Sequence, residues 1–208
     1  MTPTSARPAP GTPDGLEPST LHAWVDESML FPPQGSGTYL LAAALADPKL
    51  CAGVREAMDG LREPGQAKLH WRNEGAPRRR KIVTAVGKCH ITSLVIIGTP
   101  LAKSKQERGR ALCMERLLYE LDGLGVDRVY LESRTKTLND RDMTTVVRLR
   151  GVNAISPWLR VEILNPSGEP MLWIADIVAG AVKAARSGQD EYLSGIAPYV
   201  EQIEIDFR

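Results

Sequence analysis

The strongest indication of chemistry lies in "MLWIADIVAGAV" at 171–182, twelve residues that carry a single charge, Asp176. Helical spacing places Trp173, Ile177 and Gly180 on the face that Asp176 shares, so a helix here would carry the carboxylate into or against the core. An unpaired buried carboxylate costs several kcal/mol unless it gains a partner or binds a metal ion. A salt bridge or a helix hydrogen bond is the plain structural alternative; we favour a metal ligand.

Two other positions place acids at the ends of apolar segments. Asp26 and Glu27 follow the apolar start of "HAWVDESML" at 22–30, where the alternative is a strand that simply ends in a polar turn. Glu132 stands in "RVYLES", where strand alternation places it on the same face as Tyr130, at the carboxyl end at which open α/β sheets build their sites. Alone, such a glutamate is ordinary surface; together with the other acids it predicts a site.

The hydrophobic pattern predicts the elements that position these acids. Alternating or continuous apolar runs predict strands, and apolar residues at intervals of three and four predict helices. Ser104 and Glu107 have capping-box spacing for one helix, and Asn139 is a good cap for a helix that Gly151 ends. The predicted strands span 21–27, 37–47, 93–101, 127–133 and 159–164, with a tail strand at 200–207, and helices are expected within 48–65, 76–90, 104–122, 139–150 and 171–188. The order favours an α/β fold whose sheet starts antiparallel and continues parallel, with a helical insertion after the second strand.

Composition narrows the class of protein. The 208 residues suit one domain, and residues 1–20, rich in Pro, Thr and Ala, are predicted to be a disordered segment before a single domain at 21–208. No apolar run is long enough to cross a bilayer, and no signal core is present. The three cysteines are far apart with no CxxC pair, which argues against a zinc knuckle or a disulfide framework and favours a cytoplasmic protein with reduced thiols.

A basic stretch supplies candidate nucleic-acid contacts, although the formal net charge is only +1. "KLHWRNEGAPRRRK" at 68–81 combines aromatic, imidazole and guanidinium side chains of the kind that stack bases and hold phosphates. Each candidate also has a plain structural alternative. The arginines could lie on a solvated helix face, the tryptophan could pack as an anchor, and the arginine that follows Glu132 by two residues could form a surface salt bridge. The candidates are His70, which is also a candidate proton shuttle, Trp71, Arg78, Arg79, Arg80 and Arg134.

Two motifs carry a resemblance to known proteins. The "VDES" motif before a long apolar strand, and "LWIADIVAGAV" near the C-terminus, resemble the bacterial family called domain of unknown function 3800, within the ribonuclease H-like superfamily. The resemblance covers roughly residues 22–187. Met29 stands where that family usually has glycine, and Glu132 stands where the superfamily often has Asp.

The resemblance implies a ribonuclease H-like mixed sheet flanked by helices and a divalent-metal site. By analogy Asp26, Glu132 and Asp176 would be the catalytic metal ligands, with Glu27 as a fourth candidate ligand. Hard oxygen ligands suit Mg²⁺ or Mn²⁺, and two such ions about 4 Å apart can activate a water and stabilise a phosphodiester leaving oxygen. Adjacent strand residues point to opposite faces, so Asp26 and Glu27 would share the site only if the strand bulges; we favour Asp26.

Three functions are compatible with this sequence. The leading hypothesis is a divalent-metal-dependent nuclease acting on DNA or RNA. The second is a catalytically silent module that keeps the fold to bind nucleic acid or a protein. The third is a structure-specific resolvase, which would act as a homodimer on four-way junctions.

Overall fold

The computed structural model describes residues 20–208, so the segment predicted to be disordered lies outside the described residues except for Thr20. Within residues 20–208, six strands and six α-helices follow one another broadly in the predicted order. The strands are β1 Leu21–Leu30, β2 Gly37–Ala46, β3 Thr92–Leu101, β4 Val126–Glu132, β5 Arg160–Leu164 and β6 Val200–Asp206. The helices are α1 Cys51–Asp59, α2 Ala76–Lys88, α3 Gln106–Gly123, α4 Lys136–Gly151, α5 Pro170–Ala185 and the short α6 Glu191–Ser194. None of the helices within 20–208 is both long and apolar enough to span a membrane.

All six strands form one mixed sheet in the order β5-β4-β1-β2-β3-β6. β2 runs antiparallel to both of its neighbours, β1 and β3, whereas β4 runs parallel to β1, β5 parallel to β4, and β6 parallel to β3. This confirms the predicted antiparallel start and parallel continuation. The tail predicted as an edge strand is β6.

The alternation of strand side chains divides the core between the two faces of the sheet. Trp24, Ala42 and Ile97 face one layer, in which α1, α2 and α5 pack, and Val25, Leu41 and Ile96 face the other, covered by α3 and α4. The first layer includes thirteen buried residues of α5, which lies against β1 and β2. Its near-continuous apolar sequence is therefore explained by burial on most of its circumference.

Three element boundaries differ from the sequence-based prediction. β1 does not end at Glu27 but continues to Leu30, because its pairing with β2 persists through Leu30↔Thr38. α4 begins at Lys136 rather than after Asn139, whose side-chain oxygen instead accepts the Arg134 N–H at 2.8 Å. The start of α3 has no side-chain cap, so the Ser104–Glu107 capping box is not formed.

Candidate metal and nucleic-acid site

The strand register places Asp26 and Glu132 next to each other on one face of the sheet. β1 and β4 pair in parallel through Trp24↔Tyr130 and Val25↔Leu131, and Asp26 and Glu132 are the next residues of the two strands. The rings of Trp24 and Tyr130, two residues earlier, are 5.6 Å apart on the α5 side of the sheet. Alternation then carries both acids to that same side.

Asp26 is the most deeply placed of the acids. It is 7% exposed and is paired with Ala42 of β2. One carboxylate oxygen accepts the Glu27 N–H at 2.8 Å. Burial, followed by the negative charges of Glu132, Asp176 and Glu27, raises the pKa of Asp26 well above its ordinary value, and only the Glu27 hydrogen bond opposes the rise.

Asp176 enters the same region from α5 and is tied to the segment that precedes α2. Its Oδ2 accepts the Trp71 N–H at 2.6 Å and lies 2.9 Å from the Nδ1 of His70. The side chain is buried, and its charge contributes to the raised pKa of Asp26. Its partners are a backbone amide and an imidazole, and the contact with His70 becomes a salt bridge when the imidazole is protonated; no Lys or Arg within 20–208 pairs with Asp176.

Lys68 is a member of the site that the sequence did not indicate. Its ammonium lies 2.5 Å from Oε1 of Glu132, with both side chains partly buried. Lys68 and His70 alternate with Leu69 and Trp71, which are buried in the core, so an extended stretch presents its two polar side chains to the acids. A lysine in an irregular segment carries no periodic signal, and only the fold brings it to Glu132.

Glu27 lies on the opposite face of the sheet. β1 shows no bulge at this point, and the Glu27 carboxylate accepts from Arg110 at 2.7 Å within the layer under α3. Arg110 is 2% exposed and also donates to Asp142, which in turn pairs with Arg134. The structure therefore does not bring Glu27 together with the other three acids, because regular alternation turns it away from them.

Two predicted nucleic-acid contacts have other roles in the structure. Trp71 is 7% exposed and packs edge-on to Tyr192, over a glycine, Gly180, at which a Cβ atom would overlap the indole. It is a packed anchor rather than an open stacking surface for a base, because its ring faces the core. Arg134 is largely buried and paired with Glu107 and Asp142, which leaves it no free donor face for a phosphate.

The arginines of α2 differ from one another in their partners. Arg78 donates to Glu74 and to the carbonyl of Leu61, and the exposed Arg80 lies 3.4 Å from Glu191. Arg79 donates to the Trp71 carbonyl at 3.2 Å, and its guanidinium lies 4.8 Å from the centre of the Trp71 ring. Arg79 is thus the one of the three that lacks an acidic partner among residues 20–208.

The acids fit a divalent cation by their chemistry but are not arranged around one. Among residues 20–208, no three Asp, Glu, His or Cys side chains are already close enough to hold one metal ion. Each acid is instead held by a protein donor: Asp26 by a backbone N–H, Glu132 by Lys68, and Asp176 by Trp71 and His70. Asp26 has no cationic partner in this part of the chain, and a buried carboxylate facing two further acids is the environment that a bound cation would stabilise.

The fold is that of ribonucleases H. The chain matches a single-residue variant of Bst-RNase HIII with a TM-score of 0.54 at 19% identity, over 82% of this chain and 54% of that chain. It matches Bst-RNase HIII in complex with Mn²⁺ with a TM-score of 0.51 at 17% identity over the same shares. RNase HII of Archaeoglobus fulgidus, in its complex with PCNA, gives 0.50 at 14% identity, over 84% of this chain and 78% of that chain.

These likenesses confirm the predicted ribonuclease H-like sheet flanked by helices. The chain spans about half the length of the RNase HIII chains that it matches. No protein-family model matches the chain, and neither does any curated protein.

Proposed function

We propose that this protein is a divalent-metal-dependent nuclease, with Asp26, Glu132 and Asp176 as the ligands of Mg²⁺ or Mn²⁺. The observation that carries the proposal is the environment of Asp26, which lies at the point where β4 ends and β1 continues. Its carboxylate is buried and has no cationic partner among residues 20–208, and the negative charges of Glu132 and Asp176 repel it. Such an arrangement raises the free energy of the metal-free protein, and a bound cation would lower it. Glu27 is left out of the proposed ligand set because Arg110 neutralises it on the other face.

The bound cation would activate a water and stabilise the leaving oxygen of a phosphodiester. Asp26 holds a fixed position because its strand is paired with β2. To bind the cation, Glu132 would have to release Lys68, and Asp176 would have to release His70 and the Trp71 amide, at least in part. The Lys68 ammonium, once released from Glu132, could then contact the phosphate of the substrate. His70 lines the cavity beside Asp176 and is positioned to pass a proton to or from solvent.

The motifs "VDES" and "LWIADIVAGAV" support two further proposals. One is membership of the family called domain of unknown function 3800, and the other is a single domain spanning 21–208. The cleavage chemistry and the choice between DNA and RNA do not depend on either proposal.

Thermal melting in MnCl₂ against EDTA tests the metal site directly. A native-state ligand stabilises by mass action, so Mn²⁺ should raise the melting temperature of the wild type, and the rise should disappear in Asp26→Asn and in Asp176→Asn. Asp127→Asn, an exposed acid of β4, is the matched control and should keep the rise. A wild type that does not respond to Mn²⁺ would refute the proposed ligands.

A cleavage panel separates the nuclease from its alternatives. Single-stranded, double-stranded and hybrid substrates are incubated with Mg²⁺ or Mn²⁺, together with a four-way junction. The proposal expects cleavage that Asp26→Asn abolishes. A silent module would bind these substrates without cutting them, and a resolvase would prefer the junction to linear duplex and would elute as a homodimer.

A further inference from the structure

A cavity of about 510 Å³ lies beside Asp176, and residues 27–29 of β1 form part of its lining. α5 supplies one wall through Asp176, Gly180 and Lys183, and the segment before α2 supplies another through His70 and Arg72. Arg79 of α2 lines it as well. Two acidic residues, Asp176 and Glu27, and three cationic ones therefore line one water-accessible space, and the Glu27 carboxylate is already paired with Arg110.

The two acids of the cavity have other partners, and neither forms an ion pair with the three cations, Arg72, Arg79 and Lys183. In the described part of the chain none of them forms an ion pair, although the arginines on either side of Arg79 each have a glutamate partner. Burial, and then the positive charges of Arg72 and Arg79, lower the pKa of Lys183, while the charge of Asp176 acts in the opposite direction. The cations thus lie close enough to repel one another, and an anion between them would relieve that repulsion.

Arg79 is held in place by contacts with Trp71, and Lys183 lies on the same helix as Asp176. Arg79 is fixed by its hydrogen bond to the Trp71 carbonyl and by its position over the Trp71 ring. Lys183 stands seven residues after Asp176 on α5, two helical turns along the same face. At a rise of 1.5 Å per residue the two backbone positions are separated by about 10 Å along the helix.

We infer that Arg72, Arg79 and Lys183 form an anion site that binds a phosphate of the nucleic-acid strand other than the one at the carboxylates. The inference rests on the proposed function, which supplies the polyanion and places its reacting phosphate at the acids. The site would fix the register of the strand by backbone charge alone, since guanidinium and ammonium groups contact phosphate oxygens without reading a base. It takes over the phosphate-binding role that the sequence suggested for Arg78, Arg80 and Arg134.

Binding measured in EDTA tests the anion site independently of metal and cleavage. A short fluorescent single strand is titrated with wild-type protein, Lys183→Met and Arg72→Met, and the anisotropy is followed over a range of salt concentrations. Each variant should bind several-fold more weakly, with a salt slope lower by about one. Arg80→Met, which removes an exposed and ion-paired arginine of the same helix, should bind like the wild type, and Lys183→Arg should restore affinity.

Three results would overturn the inference: no binding of the strand by the wild type, unchanged binding in both Met variants, or an equal loss in Arg80→Met. Melting with inorganic phosphate at constant ionic strength distinguishes the source of the anion. A rise in the wild type that Lys183→Met loses, without strand binding, would make this a site for free phosphate and would also refute a strand contact. Loss of the Mn²⁺ response with intact strand binding would reject the proposed metal site alone.

Discussion

At the scale of single residues, Asp26 shows how the sheet can force a charge into an unfavourable place. Its backbone is paired with β2 through Asp26↔Ala42, and the residues before it are paired with β4, so the side chain cannot turn to solvent. Its environment contains three negative charges and one backbone donor. The ionised form therefore opposes folding in the absence of metal.

Replacing Asp26 by Asn should stabilise the metal-free protein at neutral and alkaline pH. The folded-state pKa of Asp26 lies above the unfolded value, so protonation favours folding; this contribution is complete below the unfolded pKa and is lost as the pH rises through the folded one. In EDTA at pH 8 the melting temperature of Asp26→Asn should therefore be higher than that of the wild type, by about 2–4 °C for each kcal/mol of stabilisation. This difference in melting temperature should shrink as the pH is lowered.

Asp127→Asn provides the baseline for this experiment, because Asp127 is exposed on β4. Its melting temperature should follow the wild type at every pH. If Asp26→Asn instead destabilised the protein by a constant amount across the pH range, Asp26 would be acting as a structural hydrogen-bond acceptor.

At the scale of elements, the segment between α1 and α2 positions the polar side chains of the site. Leu69 and Trp71 are buried in the core, and the two residues that alternate with them, Lys68 and His70, reach Glu132 and Asp176. Gly180 permits the close approach of the Trp71 indole to α5. The segment is irregular, but its register is determined by these two anchors.

Trp71→Ala should lower the stability of the protein rather than only its affinity for nucleic acid. Removing a buried indole costs about 3–5 kcal/mol, and the polar groups of the segment would lose their fixed positions. Chemical denaturation measures the change. Trp158→Ala removes an indole that is 82% exposed and should leave the free energy of unfolding almost unchanged. Weaker binding of a single strand without any loss of stability would restore the base-stacking hypothesis.

The ion pairs under α3 stabilise the other face of β1. Arg110→Met removes the partner of Glu27 and one of the two partners of Asp142, which keeps Arg134. Breaking a buried pair costs about 3–5 kcal/mol, and a value below that range is expected here because the Glu27 side chain is 19% exposed and Asp142 keeps one cation; the midpoint of urea unfolding should still fall. Arg116→Met, on the same helix, breaks only a partly exposed pair with Glu120, and about 0.3–0.5 kcal/mol is expected. Equal effects of the two substitutions would contradict a structural role for the buried pairs.

At the scale of the whole molecule, the six-stranded sheet of the described residues separates two apolar layers. The opening residues contain almost no large apolar side chains. We therefore expect residues 21–208 to account for the free energy of unfolding of the protein.

A protein lacking residues 1–20 should melt at the same temperature as the full chain and should keep the Mn²⁺-induced rise. The physical reason is that a segment with so few apolar residues has little surface to bury. Differential scanning calorimetry of both forms in EDTA and in MnCl₂ makes the comparison. A drop of many degrees would mean that the opening segment packs on the domain.

Local sequence patterns determined the elements and their order. Periodic apolar residues identified the strands, the long buried α5 with its single charge, and the tail strand, because periodicity records which face of an element meets the core. The same alternation predicted that Asp26 and Glu27 would separate, as the regular pairing of β1 confirms. Boundaries were less accurate where long-range pairing decided them: β1 continues past the acids because β2 is beside it.

The tertiary structure alone decided which side chains meet. Lys68 and Glu132, Arg110 and Glu27, and Lys183 and the two cavity arginines come together across 64 or more residues of chain, and no local pattern records such a contact. It also decided that Trp71 is an anchor, because an aromatic residue in a basic loop has the same sequence signature whether it faces solvent or core. Periodicity encodes burial within one element, whereas a site is formed by the packing of several.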